Sequence, residues 1–281
     1  WFKYFISYNP LENLTKIACP VLALNGSLDI QVQADRNLDA IKNFINQTRP
    51  DIIINPAAYT AVDKAESELA LATQINADAP GIMAEEARKR GALLVHYSTD
   101  YVFDGQGNHP YVETDPTGPQ SVYGSSKLAG EQQAFQFNPD CIVVRTAWVY
   151  SPYGKNFFKT MVSLLRDKPT IHVVNDQVGT PTYVRDLAKA LLDIVASGKW
   201  QPGVYHYSNE GRISWYDFAI EIQRQIGTDC AIVAIPTTAY PTPAVRPAYS
   251  VLNKKKIIDV FGVSVPDWKL SLTDCVSRYR D

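Results

Sequence analysis

The stretch "YSTDYVFDGQG…SVYGSSKLAGE" gathers the residues whose types and spacing could do chemistry. Tyr123 and Lys127 are spaced i, i+4, which on a helix puts both side chains on one face, one turn apart. A tyrosine titrates near ~10 and is a poor acid–base group at neutral pH. An ammonium beside it favours the phenolate and is expected to lower that value. The phenol could then give its proton to a carbonyl oxygen while a hydride arrives at the carbon. A threonine hydroxyl beside it, that of Thr99, would hold the same oxygen. Such a set suits reduction of a carbonyl by a nicotinamide cofactor. Y-x-x-x-K alone is a common helix-surface pattern, so the context carries the reading: "YSTDYVF" one loop before it and "RTAWVY" on the next strand.

These side chains need a frame. "DIIIN", "ALLVHYS" and "CIVVRTAWV" read as buried strands, and the stretches Ala65 to Arg90 and Tyr123 to Phe137 between them read as helical. Pro80 is expected to break the first stretch or to start a second helix. Near-continuous apolar strands separated by helices imply an α/β fold whose parallel sheet is covered on both faces. Ligands bind such sheets at the carboxyl ends of strands, where Thr99 and Asp100 follow "LLVHYS". After Pro152 the texture changes. Asn156 to Arg166 reads as a helix, "TIHVV" as a strand, and Val184 to Val195 carries an amphipathic stripe. "ISWYDFAIEIQRQIG" is a helix opened by a Ser214/Asp217 capping box and closed by Gly227. The division expected is a dinucleotide-binding domain over 1–170 and a smaller substrate domain over 171–281, with a helix at 184–197 packing back on the first.

Composition excludes several classes. The chain has 281 residues, 46% of them hydrophobic, and a net charge of -2, so nothing favours nucleic acid or an acidic membrane surface as a partner. The Lys254–Lys255–Lys256 run reads as the solvated side of a turn or helix start, and Asp63 with Glu66 as another solvated helix start. Cys19, Cys141, Cys230 and Cys275 form no C-x-x-C pair, which fits reduced thiols and a cytoplasmic location. The four histidines are scattered without an H-E-x-x-H, so no metal site is expected. No apolar run approaches the ~18–20 residues of a membrane span. The start, "WFKYFISYNP", is not Met and lacks a signal-peptide cleavage pattern, so the true start of the gene product is expected to lie ahead of Trp1.

Taken together, "RPDIIINPAAYTAVDKAESE", "HYSTDYVFDG", "VYGSSKLAGE", "VVRTAWVY", "NFFKTM", "NDQVGTPT" and "PTPAVRP" resemble the dTDP-4-dehydrorhamnose reductase family of extended short-chain dehydrogenases/reductases, in the family's order over residues 35 to 281. The resemblance implies a Rossmann-like doubly wound sheet with a smaller C-terminal substrate domain. It implies NADPH or NADH as cofactor and reduction of the 4-keto group of dTDP-4-dehydro-L-rhamnose. Thr99, Tyr123 and Lys127 match the catalytic trio, and Lys127 would also hydrogen-bond the nicotinamide ribose. Ala58, Tyr59 and Thr60 match the loop that lines the dinucleotide, and Tyr97 its edge on the next strand. Asp100 and Trp148 match substrate-contacting positions. Asn156 and Arg246 are further candidates on the substrate side, Arg246 because a guanidinium suits a diphosphate. Bland roles stand beside these: Trp148 as core, and Arg246 as a salt-bridged brace of the tail. The partner is then a nucleotide sugar or other small carbonyl compound, and a homodimer is the assembly considered.

The head departs from the family. Gly26 is the only glycine before Gly81, so the expected G-x-x-G-x-x-G phosphate loop is missing. "NPLENLTKIACPVLALNGSLDIQV" resembles instead a piece of an α/β-hydrolase, with Asp29 at the acid position, yet the chain has no G-x-S-x-G elbow. Asp29 is expected to be inert, and cofactor binding to be weakened. A strand–helix–strand made by the head would place Asn25 near the adenosine ribose. Two alternatives follow: a reductase of another small ketone, sharing the trio, and a non-catalytic nucleotide-sugar-binding protein of the same fold.

Overall fold

The structure is a computed structural model that describes residues 21–23 and 34–280. Five strands form a parallel sheet: β1 (Val21–Ala23), β2 (Ile52–Asn55), β3 (Leu93–Thr99), β4 (Ile142–Thr146) and β5 (Gly203–His206), in that spatial order. β1 lies within the atypical head and pairs in register with β2, Val21 opposite Ile52. β1 stands where the second strand of the head was expected, whereas Asn25, Asp29 and the first strand and helix proposed for the head lie outside the described residues.

Alternation along the strands builds two cores, because successive side chains point to opposite faces. Ile53, Leu94 and Val143 pack under α1 (Ala34–Thr48), α2 (Ala79–Arg90) and α3 (Val122–Phe137). Ile52, Ile54, Val95, Ile142 and Val144 pack on the other face with Leu187, Leu191 and Ile194 of α5 (Val184–Ala196). The sheet is thus doubly wound, as the sequence implied. The stripe at 184–195 does pack on it, joined by Ile257 and Phe261 of α7 (Lys255–Phe261). A separate core lies between α4 (Phe157–Asp167), α6 (Trp215–Ile226) and α8 (Trp268–Arg278), where Phe158, Phe218 and Leu272 are fully buried. Beside it Ala231–Ile235 pairs parallel with Thr170–Val174. The capping box of Ser214 and Asp217 opens α6, and Gly227 closes it at φ 69°.

Pro80 starts a second helix, the latter of the two outcomes expected: it stands in the first turn of α2. Leu69–Thr73, a π turn at Gln74–Asp78 and α2 run on from one another. Proline lacks the N–H of an ordinary helical turn, and the wider i→i+5 turn just ahead of it absorbs that loss. The Lys254–Lys256 run is also less solvated at two of its three residues than the sequence suggested. Lys254 is 7% exposed and pairs with Glu210 at 3.2 Å, and Lys256 Nζ donates to the Val204 carbonyl at 2.6 Å. Both are drawn in by acceptors distant in sequence. Cys141, Cys230 and Cys275 are free and buried. Among the described residues no helix is long and apolar enough to cross a membrane.

Candidate active site

β3 ends at Thr99 and passes into a 3-10 turn, Asp100–Val102. α3 crosses directly over this turn. Its approach depends on two glycines: a Cβ on Gly124 would collide with the Tyr101 carbonyl, and one on Gly130 with the Asn76 carbonyl. The N-terminus of α3 is held by Ser121, whose hydroxyl accepts from Gly124 N at 3.1 Å, and by Glu66, whose carboxylate accepts from Val122 N at 2.9 Å. Glu66 therefore ties α3 to the segment after β2 and is more than a solvated helix start.

This placement unites the trio. The Thr99 hydroxyl hydrogen-bonds the Tyr123 phenol and donates to Asp100 Oδ1 at 2.9 Å, and it accepts from Tyr101 N at 3.2 Å. The rings of Tyr101 and Tyr123 meet edge to face, with centroids 5.4 Å apart. Lys127, 2% exposed, reaches the Tyr97 carbonyl with its Nζ at 2.6 Å. Burial pulls the Lys127 pKa down from 10.5 to about 8, against the charge of Glu131 one turn on, which raises it. The expectation that Lys127 would lower the phenol pKa is not met. Burial pushes Tyr123 up to about 12, against the Thr99 hydroxyl, with the Asp100 charge adding to the rise. Burial dominates, and the Lys127 ammonium, which donates to the Tyr97 carbonyl, does not offset it. A phenol held neutral keeps its proton until a stronger base, such as a developing alkoxide, forms beside it. Burial also lifts Asp100, 3% exposed, to about 6, against hydrogen bonds from Ser250 and Thr99.

The other candidates fall into three groups. Trp148 borders the site with an unusual φ of 47°, and its indole stacks on Trp215 at 3.5 Å. A bulky residue with positive φ is held there by its surroundings, and such strain concentrates at functional positions. Gly179 fits against it: a Cβ there would lie 2.6 Å from the Trp148 ring and 2.8 Å from Ser250 Oγ. Arg246 is braced by Asp63 at 2.7 Å and adds its charge to the surroundings of Tyr101. Asp63 is therefore an ion-pair partner, and not only the solvated helix start that the sequence suggested. Asn156 caps α4, accepting from Lys159 N at 3.2 Å while its amide donates to the carbonyls of Ser151 and Tyr153, both at 2.9 Å. Its polar atoms are occupied in holding the loop.

On the cofactor side, Ala58, Tyr59 and Thr60 lie in the loop after β2. Asn76 clamps Tyr59 at both backbone atoms, accepting from its N at 2.8 Å and donating to its O at 3.2 Å, and also donates to Ser126 of α3 at 3.0 Å. The Tyr59 phenol turns away to Glu68 and packs beside Ala65 and Ala72. The side chain of Tyr97 points into the core with Tyr207, so only its carbonyl reaches the site, through Lys127. Sequence reasoning missed Glu66, Asp63, Gly179, Trp215 and Ser250 as neighbours of the site. The alternation of Tyr249 and Ser250 gave no signal, because an irregular segment has no period to read.

A doubly wound parallel sheet with a tyrosine and a lysine one helical turn apart over a strand's carboxyl end defines a short-chain dehydrogenase/reductase. The family model described as the RmlD substrate binding domain matches residues 13–281. The chain belongs to this family. The match also takes in residues 13–34, ahead of the stretch where the sequence motifs begin. The chain is 41% identical over 253 residues to the dTDP-4-dehydrorhamnose reductase of Burkholderia thailandensis, with 85% of each covered. It is 42% identical over 245 residues to that of Escherichia coli, covering 84% of this chain and 82% of the other. The crystal structure of the Bacillus anthracis dTDP-4-dehydrorhamnose reductase in complex with NADP superposes with a TM-score of 0.84 at 32% identity, covering 93% of this chain and all of that one.

Proposed function

We propose that this protein reduces the 4-keto group of dTDP-4-dehydro-L-rhamnose with NADPH or NADH. The observation that carries this is the Thr99–Tyr123–Lys127 constellation at the end of β3, together with relatives above 40% identity that bear that activity in their names. The residues present fit a nicotinamide cofactor. The Lys127 ammonium has three donors, and among the described residues one acceptor, the Tyr97 carbonyl, is within reach. The other two are free to meet ribose hydroxyls, beside the loop of Ala58, Tyr59 and Thr60.

The dihydronicotinamide supplies the hydride when bound. Tyr123, held neutral by burial, supplies the proton to the developing alkoxide. Thr99 keeps the phenol in place through its hydroxyl. Lys127 sits at a pKa of about 8, so it exchanges protons readily near neutral pH. On the substrate side, Asp100, Trp148 and Arg246 border the space next to the phenol, and Asn156 acts there by holding its loop. In this reading residues 1–170 mainly bind the cofactor and 171–281 mainly the sugar nucleotide. A homodimer and a cytoplasmic location belong to the same proposal.

The test is oxidation of NADPH and of NADH, followed by absorbance, with dTDP-4-dehydro-L-rhamnose and with simple ketones. Turnover confined to the nucleotide sugar supports the proposal. Turnover of simple ketones alone moves the protein to a broader carbonyl reductase. Tight binding of the sugar nucleotide without oxidation of either cofactor makes it a non-catalytic binding protein.

A further inference from the structure

Below the trio lies a second hydrogen-bonded path that the chemistry above does not use. His96 is completely buried on β3, one residue before the Tyr97 carbonyl that holds Lys127. Its Nδ1 lies 3.0 Å from Asn55 Nδ2, at the end of β2. Asn55, 1% exposed, accepts at its Oδ1 from Ala57 N at 3.1 Å. The backbone N–H of Ala57 can only donate, so the atom facing it must be the amide oxygen. The amide nitrogen therefore faces His96, and Nδ1 must accept. The imidazole is thus neutral, with its proton on Nε2, which has no partner among the described residues. A second proton on Nδ1 would set donor against donor at Asn55. Burial first, and then the nearby Lys127 charge, hold His96 well below its ordinary pKa, in keeping with this tautomer.

We propose that His96 and Asn55 are a positioning pair that fixes the start of the 57–60 loop against the strand that cradles Lys127. The path runs from Ala57 N through the Asn55 amide to the imidazole, and from the next peptide carbonyl to the Lys127 ammonium. One rigid unit thereby sets the distance between the loop expected to line the dinucleotide and the lysine expected to hold its ribose. Strand pairing alone does not do this, because the ladder between β2 and β3 ends at Asn55 opposite His96 and the loop begins just beyond it. The inference rests on the reductase reading for its consequence, but the positioning itself is a property of the chain.

The test uses His96→Leu, which keeps bulk and removes the acceptor, and His96→Asn, whose side-chain oxygen can stand where Nδ1 stood. Residue-resolved amide exchange is measured on the whole protein without cofactor. Ala57 exchange should speed up roughly fivefold or more in His96→Leu, the scale of one lost hydrogen bond. The Tyr59 amide, held by Asn76, should not change. In steady-state assays the KM for NADPH should rise severalfold with a smaller change in kcat, and His96→Asn should restore both readouts. Unchanged Ala57 exchange in His96→Leu overturns the proposal, as does a His96→Asn variant no better than His96→Leu. If the wild type oxidises neither cofactor, the reductase reading fails, and the exchange data still decide the pair.

Discussion

Replacing Lys127 by Met should uncouple stability from activity in a way that pH reveals. The ammonium is buried, and its pKa falls from 10.5 to about 8 on folding. That drop corresponds to about 3 kcal/mol of differential interaction. Folding therefore carries a penalty for the charged lysine that is fully present below about pH 8. Between about pH 8 and 10.5 the unfolded chain holds a proton that the folded chain has released, so stability rises with pH. The Met variant has no such group. The stability of the wild type minus that of Lys127→Met should accordingly rise by about 3 kcal/mol between neutral pH and pH 10.5. At neutral pH the difference itself should be small, since the variant also leaves the Tyr97 carbonyl unpaired at a cost of about 1–3 kcal/mol. The other alkaline titrations, such as those of Tyr123 and Cys141, are common to both proteins and cancel to first order. Urea unfolding at a series of pH values measures the difference. A flat difference across this range, or one that falls as pH rises, would show that the fold does not penalise the ammonium. The same variant should lose both cofactor affinity and turnover; a loss of turnover alone argues against the ribose contact.

Tyr123→Phe should keep the fold and lower kcat by roughly 10²–10⁴-fold, the range for a general acid, and more than a few per cent of wild-type turnover would remove it from that role. Gly179→Ala drives a methyl into Trp148 and Ser250; it should raise the KM for the sugar nucleotide while leaving that for NADPH alone, and cost about 1–3 kcal/mol of stability. Equal effects on both KM values would mean that Trp148 does not face the substrate. Asp29→Asn should leave reductase activity unchanged, because no nucleophile elbow exists for it to serve. An esterase activity that vanishes in this variant would revive the hydrolase resemblance. Wild-type NADPH binding by fluorescence titration examines the missing glycine loop: each charged hydrogen bond lost at the pyrophosphate is worth about 1.5–3 kcal/mol, so low-micromolar affinity would show that the head supplies equivalent donors.

The sequence by itself made legible the strands β2, β3 and β4 and the one-turn spacing of Tyr123 and Lys127, but not β5, whose Gly203–His206 run is short and does not read as a strand. Buried parallel strands write themselves as apolar runs, and an i, i+4 spacing on a helix is a geometric statement that needs no tertiary information. The helix of the 184–195 stripe and the capping box of Ser214 were legible for the same reason: both are set by residues within one or two turns of each other. Tertiary structure alone decided what those side chains meet. That Lys127 grips the Tyr97 carbonyl, and that burial lifts Tyr123 to about 12 where a fall was expected, both depend on how α3 crosses β3, which two glycines permit. The sequence showed Asp63 and Glu66 as ordinary exposed acids. Their partners, Arg246 and the Val122 amide, lie 183 and 56 residues away in the chain. His96 and Asn55, likewise, are 41 residues apart and show no motif. Local propensity and periodicity act over a few residues, whereas the charge state of a buried group is set by whatever atoms the fold brings within a few ångströms of it.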